Sequence, residues 1–256
     1  MNLKDTVLLL TAFRKTRGNL FLFLAFGLFL DSKYLTSYIE NGQLYANCTI
    51  LCVFIFLYYK APPRIKELMI YAVLIGFLGE HLFSIWLNMY TYRLGNVPLY
   101  VPLGHAIVYI VAIYFCKSAI VKKYRRNLEQ WFATFIILYA FLLLFLANDI
   151  FGFVMSILVI VLLIKQPRER LFFFSMYIIV AFLEIIGTSY GCWYWPETAF
   201  RTIPFLKSAN PPSGISLFYF LLDLGCLWFY KQRNLIAWKK MKRIRNLQEI
   251  KISTSG

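Results

Sequence analysis

The chain has 256 residues, 60% of them hydrophobic and 19% aromatic, with a mean hydropathy of +0.63. Only 15% are charged, against about 25% in soluble domains, which excludes a soluble globular fold and points to one all-α, polytopic membrane domain. The formal charge of +15 is first a matter of topology, because basic residues gather on the cytoplasmic side of membrane proteins; no nucleic-acid partner is inferred from it.

Residues 3–13 read as a short amphipathic helix lying on the membrane surface. RKTR follows with no small-residue cleavage site, so no cleavable leader is expected. A spanning helix needs about 20 apolar residues. Candidate spans run over 18–36, 43–59, 66–89, 98–118, 128–147, 150–165, 170–192 and 212–230. Asp31 and Lys33 fall near the end of the first and are expected to snorkel to the interface. Residues 233–256 form a basic tail whose stretch WKKMKRIRNLQEIK suits anionic lipid headgroups. With eight spans, 23 of the 27 Lys and Arg residues share one side, and only Lys33, Arg93, Arg201 and Lys207 lie on the other. That asymmetry puts both termini in the cytoplasm, in a bacterial inner membrane or an endoplasmic membrane.

An internal repeat appears when residue n is set beside residue n+104. Pro63-Arg64 falls on Pro167-Arg168, Glu80 on Glu184, Ser84 on Thr188 and Tyr90 on Tyr194. The second copy then has a loop ten residues longer, after which Asn96-Val97-Pro98 falls on Asn210-Pro211-Pro212. The chain thus reads as two four-helix halves, 1–126 and 127–232, in a parallel 4+4 tandem repeat with a pseudo-two-fold axis along the membrane normal.

Glu80 and Glu184 each lie about fifteen residues into their helix, close to the bilayer middle. A carboxyl there costs at least about 3 kcal/mol unless neutral or partnered, and a neutral one is a proton donor. Glu80, Ser84 and Asn88 fall at i, i+4 and i+8 and form one polar stripe; Glu184 and Thr188 repeat it, with Gly187 and Gly191 leaving room beside it. A structural interhelical hydrogen bond for each acid is the competing reading. Asp223 lies mid-helix in the last span, and His105 follows two prolines whose backbone disruption suits a cavity wall. His81 points about 100° away from Glu80 and is assigned a separate helix contact. Rings crowd the outer ends, among them Tyr90, Trp193 and Tyr194, as an interfacial belt or as a wall for a cationic or conjugated ligand. The five cysteines show no CxxC and read as packing residues, and no metal, nucleotide or other cofactor motif is present.

The stretches EIIGTSYGCWYW from Glu184, then IPFLK and NPPSGISLFYFLLD, resemble in layout the integral-membrane carotenoid-modifying enzymes: the tandem-domain lycopene cyclases and the carotenoid hydratases. Halves of those enzymes carry an acid, a G-x-W-x-aromatic turn at the membrane face and a proline-led next helix. The resemblance covers roughly 60–118 and 165–230. It implies acid-initiated chemistry on an isoprenoid double bond, with Glu80 and Glu184 as the matching acids. The cyclases carry paired glutamates after the proline, where this chain has Leu99-Tyr100 and Ser213-Gly214, which points away from cyclization. The expected activity is that of a membrane enzyme on a lipid-soluble isoprenoid, with Glu80, Glu184, Asp223 and His105 as catalytic candidates. Ser84, Asn88, Tyr90, Asn96, Thr188, Trp193, Tyr194 and Asn210 are its candidate substrate contacts. A proton-linked transporter or channel using the same glutamates is the alternative, and a non-catalytic assembly or lipid-binding subunit the third.

Overall fold

A computed structural model describes residues 7, 11, 19–164, 166–236, 238–240 and 243. The surface helix expected over 3–13 and most of the basic tail lie outside the described residues. The chain forms helices α1 (Leu20–Leu30), α2 (Gly42–Lys60), α3 (Pro63–Glu80), α4 (Tyr100–Lys117), a short α5 (Ala119–Lys123), α6 (Arg125–Ala147), α7 (Ile150–Ile164), α8 (Arg170–Tyr190) and α9 (Ser216–Arg233). Each segment expected to span holds one of these helices. Five are long and apolar enough to cross a membrane: α2, α3 with its continuation to Trp86, α4, α6 and α8. Apolar helices α1 and α7 are shorter. α9 has 18 residues but carries Asp223, Lys231 and Arg233.

Local chemistry sets the helix ends. Pro63 starts α3, where its missing N–H costs nothing. Asn148 (φ 53°) closes α6 and Gly191 (φ 71°) closes α8, both in the left-handed region. Beyond Glu80, α3 runs on as a π-helical stretch, His81–Trp86, which adds a residue to the turn. The helical stripe is therefore broken: Ser84 is buried, but Asn88 (φ 49°) is exposed past the helix end.

The first span is shorter than its sequence suggests. α1 has only 11 residues and stops at Asp31. Asp31 does not snorkel; it is fully buried, accepting Arg93 Nη2 at 2.5 Å and the Tyr100 hydroxyl at 2.8 Å. The partners that make burial tolerable come from a loop some sixty residues later in the chain, so the chain turns inward there. Lys33 stays exposed beside the Tyr34 ring. A second fully buried acid, Asp149, accepts backbone N–H groups of Gly152, Ala209 and Ser213 and pins the loop before α9 to the start of α7.

Loops gather at the two ends of the helix bundle. At one end, β1 (Thr91–Tyr92) and β2 (Trp193–Tyr194) form a two-stranded antiparallel ladder, Thr91 opposite Tyr194 and Tyr92 opposite Trp193. At the other, Arg125 donates to the carbonyls of Pro167 and Arg168, and Asn234 donates to Glu67. α4 and α8 run through the middle of the core, whereas α6 buries only Leu128, Ile136 and Ala140. A helix apolar all round and this exposed suits a lipid environment.

Candidate functional site: two glutamates in one apolar cavity

Glu80 at the end of α3 and Glu184 on α8 line one cavity of about 330 Å³. Both are buried. The two acids have matching surroundings. Oε2 of Glu80 accepts the hydroxyls of Tyr90 and Tyr92, the latter at 2.5 Å. Oε2 of Glu184 accepts the indole N–H groups of Trp193 and Trp195 at 2.8 and 3.1 Å. Oε1 of Glu80 lies 2.7 Å from Nε2 of His105 on α4, and Oε1 of Glu184 accepts the Tyr219 hydroxyl of α9 at 3.1 Å. The His105 and Tyr219 rings then pack on each other, centroids 4.5 Å apart. The ring donors on Oε2 lie in the short ladder (Tyr92, Trp193) or directly flank it (Tyr90, Trp195), where residues two apart in extended chain point the same way. Tyr90 and Tyr92 lie beyond the helix; burial, and next the charge of Glu80, hold their phenols well above the ordinary range, so they stay donors.

The helix arrangement makes room for these rings. A Cβ on Gly187 would sit 2.1 Å from the Trp193 ring. The indole therefore lies flat against α8 only because position 187 has no side chain. Gly187→Ala should push the indole off Glu184 and cost about 1–3 kcal/mol, read from the unfolding midpoint in detergent. Gly79→Ala is the control: its nearest neighbour would be 3.9 Å away, so stability should hold or rise slightly.

The remaining candidates fall in different places. Asn88 and Tyr194 are exposed, and neither lines the cavity. Thr188 spends its hydroxyl on the Glu184 carbonyl at 2.7 Å, one turn back. Asn96 exchanges hydrogen bonds with Gln43 at the surface. Asn210 acts at one remove: its Oδ1 accepts the Trp195 backbone N–H at 3.0 Å and so holds that indole in place. Ser84 is buried but is not among the cavity lining residues. His81 contacts the Phe77 carbonyl, away from the site. Tyr219 is a site residue that the sequence reading misses, and Tyr92 and Trp195 enter it only among the rings that crowd the outer ends. The signal was there: adding the ten-residue longer loop to the repeat offset places His105 on Tyr219.

Asp223 does not line the glutamate cavity. It sits one turn beyond Tyr219 on α9, fully buried, and neither carboxyl oxygen has a hydrogen-bond partner among the described residues. A carboxyl left unpartnered costs about 1–3 kcal/mol. Asp223→Val should therefore raise stability by that amount in a thermal or denaturant unfolding series. A loss of stability would show that the carboxyl is partnered in the membrane.

All five cysteines are free thiols, and the described residues hold no group of three or more His, Cys, Asp or Glu placed to bind a metal. No family model matches the chain, and no curated protein or solved structure is detectably similar to it.

Proposed function

We propose that the chain is an eight-span membrane enzyme that protonates an alkene of a lipid-soluble isoprenoid, using Glu80 and Glu184 in a cavity entered from the bilayer. The observation that carries this reading is the cavity itself: two buried carboxyls among apolar walls, with exposed Leu78, Leu82 and Leu221 at the rim between α3 and α9. An opening of that kind suits a hydrocarbon arriving sideways. At about 330 Å³ the space holds one end of a long polyene, with the remainder lying along the helices in lipid.

The tandem-repeat reading gains support from the matched donors. The π-helical residue added after Glu80 shifts the correspondence from n+104 to n+103, so Tyr90 answers Trp193 and Tyr92 answers Trp195. Thr91 then pairs with its own counterpart, Tyr194, as a two-fold axis through the ladder requires. α3 packs on α9 as α8 packs on α4, the reciprocal contact such an axis produces. Each half also places a buried acid, Asp31 or Asp149, just after its first helix. Each first helix lies chiefly on the second helix of its half, α1 on α2 and α6 on α7, but the pattern then breaks: α6 also lies on α8 of its own half, whereas α1 also lies on α4 and α8. Eight crossings with the basic loops on one side put both termini in the cytoplasm.

The two acids take different parts. Trp193 and Trp195 can only donate, so Oε2 of Glu184 is fixed as an acceptor and any proton on that carboxyl sits on Oε1, toward Tyr219. Glu80 faces an imidazole that can both give and take a proton. The Glu80–His105 pair therefore delivers the proton to one alkene carbon. The electron pair of the double bond forms the new C–H bond, and the resulting carbocation is held by Glu184 and the faces of Trp193 and Trp195. Loss of a proton from a neighbouring carbon, or from a water that captures the cation, ends the cycle and returns a proton to the Glu80–His105 pair. This is the chemistry implied by the resemblance to carotenoid-modifying enzymes. A proton-linked transporter would instead need a polar path, and the apolar lining favours the lipid reading. The test is a lipid extract of cells with and without the chain, compared by absorbance and mass for a changed polyene. No change with the chain present sinks the proposal; an unchanged yield from the Glu80→Gln/Glu184→Gln double variant sinks the acid mechanism.

A further inference from the structure

At the end of the bundle opposite the two-stranded ladder lies a second recess of about 430 Å³, separate from the glutamate cavity. Its floor is apolar, built from Leu68, Ile113, Phe172 and Leu227. Its rim is basic: Arg64 from the start of α3, Lys117 from the end of α4, Lys122 from α5, Arg125 from the start of α6, and Arg168. Among the described residues, Glu169 is the one acid that lines it.

These cations are not equally committed. Arg125 is held by Glu129 and by two carbonyls. Among the described residues, by contrast, Arg64, Lys117 and Lys122 make no ion pair. Arg64 only overlies the Tyr230 ring, at 5.2 Å. The like charges of Arg64 and Lys122 bear on Lys117. Basic loops follow from topology alone, but topology asks only for cations on that side. It does not ask for three of them, from three separate elements, around a hollow with a hydrocarbon floor. Repulsion of that kind is relieved by an anion placed between them.

We propose that this recess binds the phosphate of an anionic amphiphile, with the phosphate among Arg64, Lys117 and Lys122 and the first methylenes of its chain on the apolar floor. Arginine offers a planar fork to phosphate oxygens and lysine a point charge, and a basic pocket between helices at a membrane face is a recognised form of headgroup site. The chemistry shared by a phospholipid headgroup and free phosphate is the phosphate; the apolar floor favours the lipid. This inference stands apart from the glutamate site and survives or fails without it.

The experiment uses the full chain in a neutral detergent. Binding of phosphatidylglycerol and of phosphatidylcholine is titrated by native mass spectrometry, with sodium phosphate as a third probe read from the unfolding midpoint. Phosphatidylglycerol should bind at least about tenfold more tightly than phosphatidylcholine. Lys122→Gln should weaken it about fivefold, and Arg64→Gln/Lys117→Gln/Lys122→Gln about 100-fold, at roughly one surface cation's worth per charge. Lys60→Gln/Lys231→Gln, exposed and outside both the recess and the basic tail, should leave that affinity within about twofold. Protection by phosphate alone, lost in the same recess variants, supports the site with a soluble anion as its ligand. Equal affinity for the two lipids, or a loss matched by the Lys60→Gln/Lys231→Gln control, overturns the proposal. Lys122 is exposed on a short surface helix, so its single variant remains a test if the triple variant does not fold.

Discussion

Replacing Arg93 by Met should lower stability by about 3–5 kcal/mol, among the largest losses available to a single substitution in this chain. Asp31 is fully buried, and Arg93 reaches it with two nitrogens: Nε to the backbone carbonyl at 3.0 Å and Nη2 to Oδ1 at 2.5 Å. Arg93→Met keeps the apolar length of the side chain but leaves a carboxylate whose single remaining side-chain donor among the described residues is Tyr100. An ion pair of this kind adds little against a well-packed apolar pair, yet removing one member leaves the other charge stranded. The double variant Arg93→Met/Asp31→Leu should therefore recover most of the loss. Unfolding midpoints in detergent, followed by circular dichroism, give both numbers. Arg201→Met is the comparison: that guanidinium donates to Thr91 Oγ1 at an exposed site and should change stability by less than about 0.5 kcal/mol. If the double variant is as unstable as Arg93→Met, the stranded charge is not the cause.

The same pair shows where sequence reading stops. Hydropathy is a local sum, so it locates apolar runs well, and each predicted span holds a helix. Asp31 looked like the end of such a run because the decision to bury it belongs to Arg93 and Tyr100, and nothing near Asp31 signals them. Glu80 and Glu184 were legible because an acid in an apolar run costs too much to be accidental. His105 stood out for the prolines before it. The π-helical residue after Glu80 has no composition of its own, so an even helical spacing carried Asn88 onto the wrong face. In the proposed tandem repeat it also shifts the counterpart of Tyr90 from Tyr194 to Trp193. Tyr92, Trp195 and Tyr219 are ordinary aromatic residues in a chain rich in them; only the ladder and the packing of α9 aim their polar atoms at a carboxylate. Asp223 was visible as an intramembrane acid, but its distance from the cavity depends on which turn of α9 faces α3 and α8.

For the proposed alkene protonation, Glu80→Gln should lower product formation by about 10²–10⁴-fold, and Glu184→Gln should do so by a different route. The comparison is clean because glutamine can keep the hydrogen bonds in both places. At position 80 its carbonyl accepts the Tyr90 and Tyr92 hydroxyls, and its amide can donate to the Nε2 lone pair of neutral His105. At position 184 its carbonyl accepts both indoles, and its amide can donate to the Tyr219 oxygen. Packing and donors survive, so what each variant loses is the proton or the charge. With Glu80→Gln, no acid faces the alkene through His105, and deuterium from D₂O should fail to enter the substrate. With Glu184→Gln, the proton still arrives but the cation is held less firmly, a loss of about 10²–10³-fold for one removed electrostatic partner. Slow deuterium entry should then persist while the mixture of products broadens. His105→Gln should behave like Glu80→Gln, because it breaks the same delivery. Deuterium entry undiminished in Glu80→Gln and abolished in Glu184→Gln would reverse the assignment, giving the proton to the indole-bound acid and the anionic role to the one beside the imidazole.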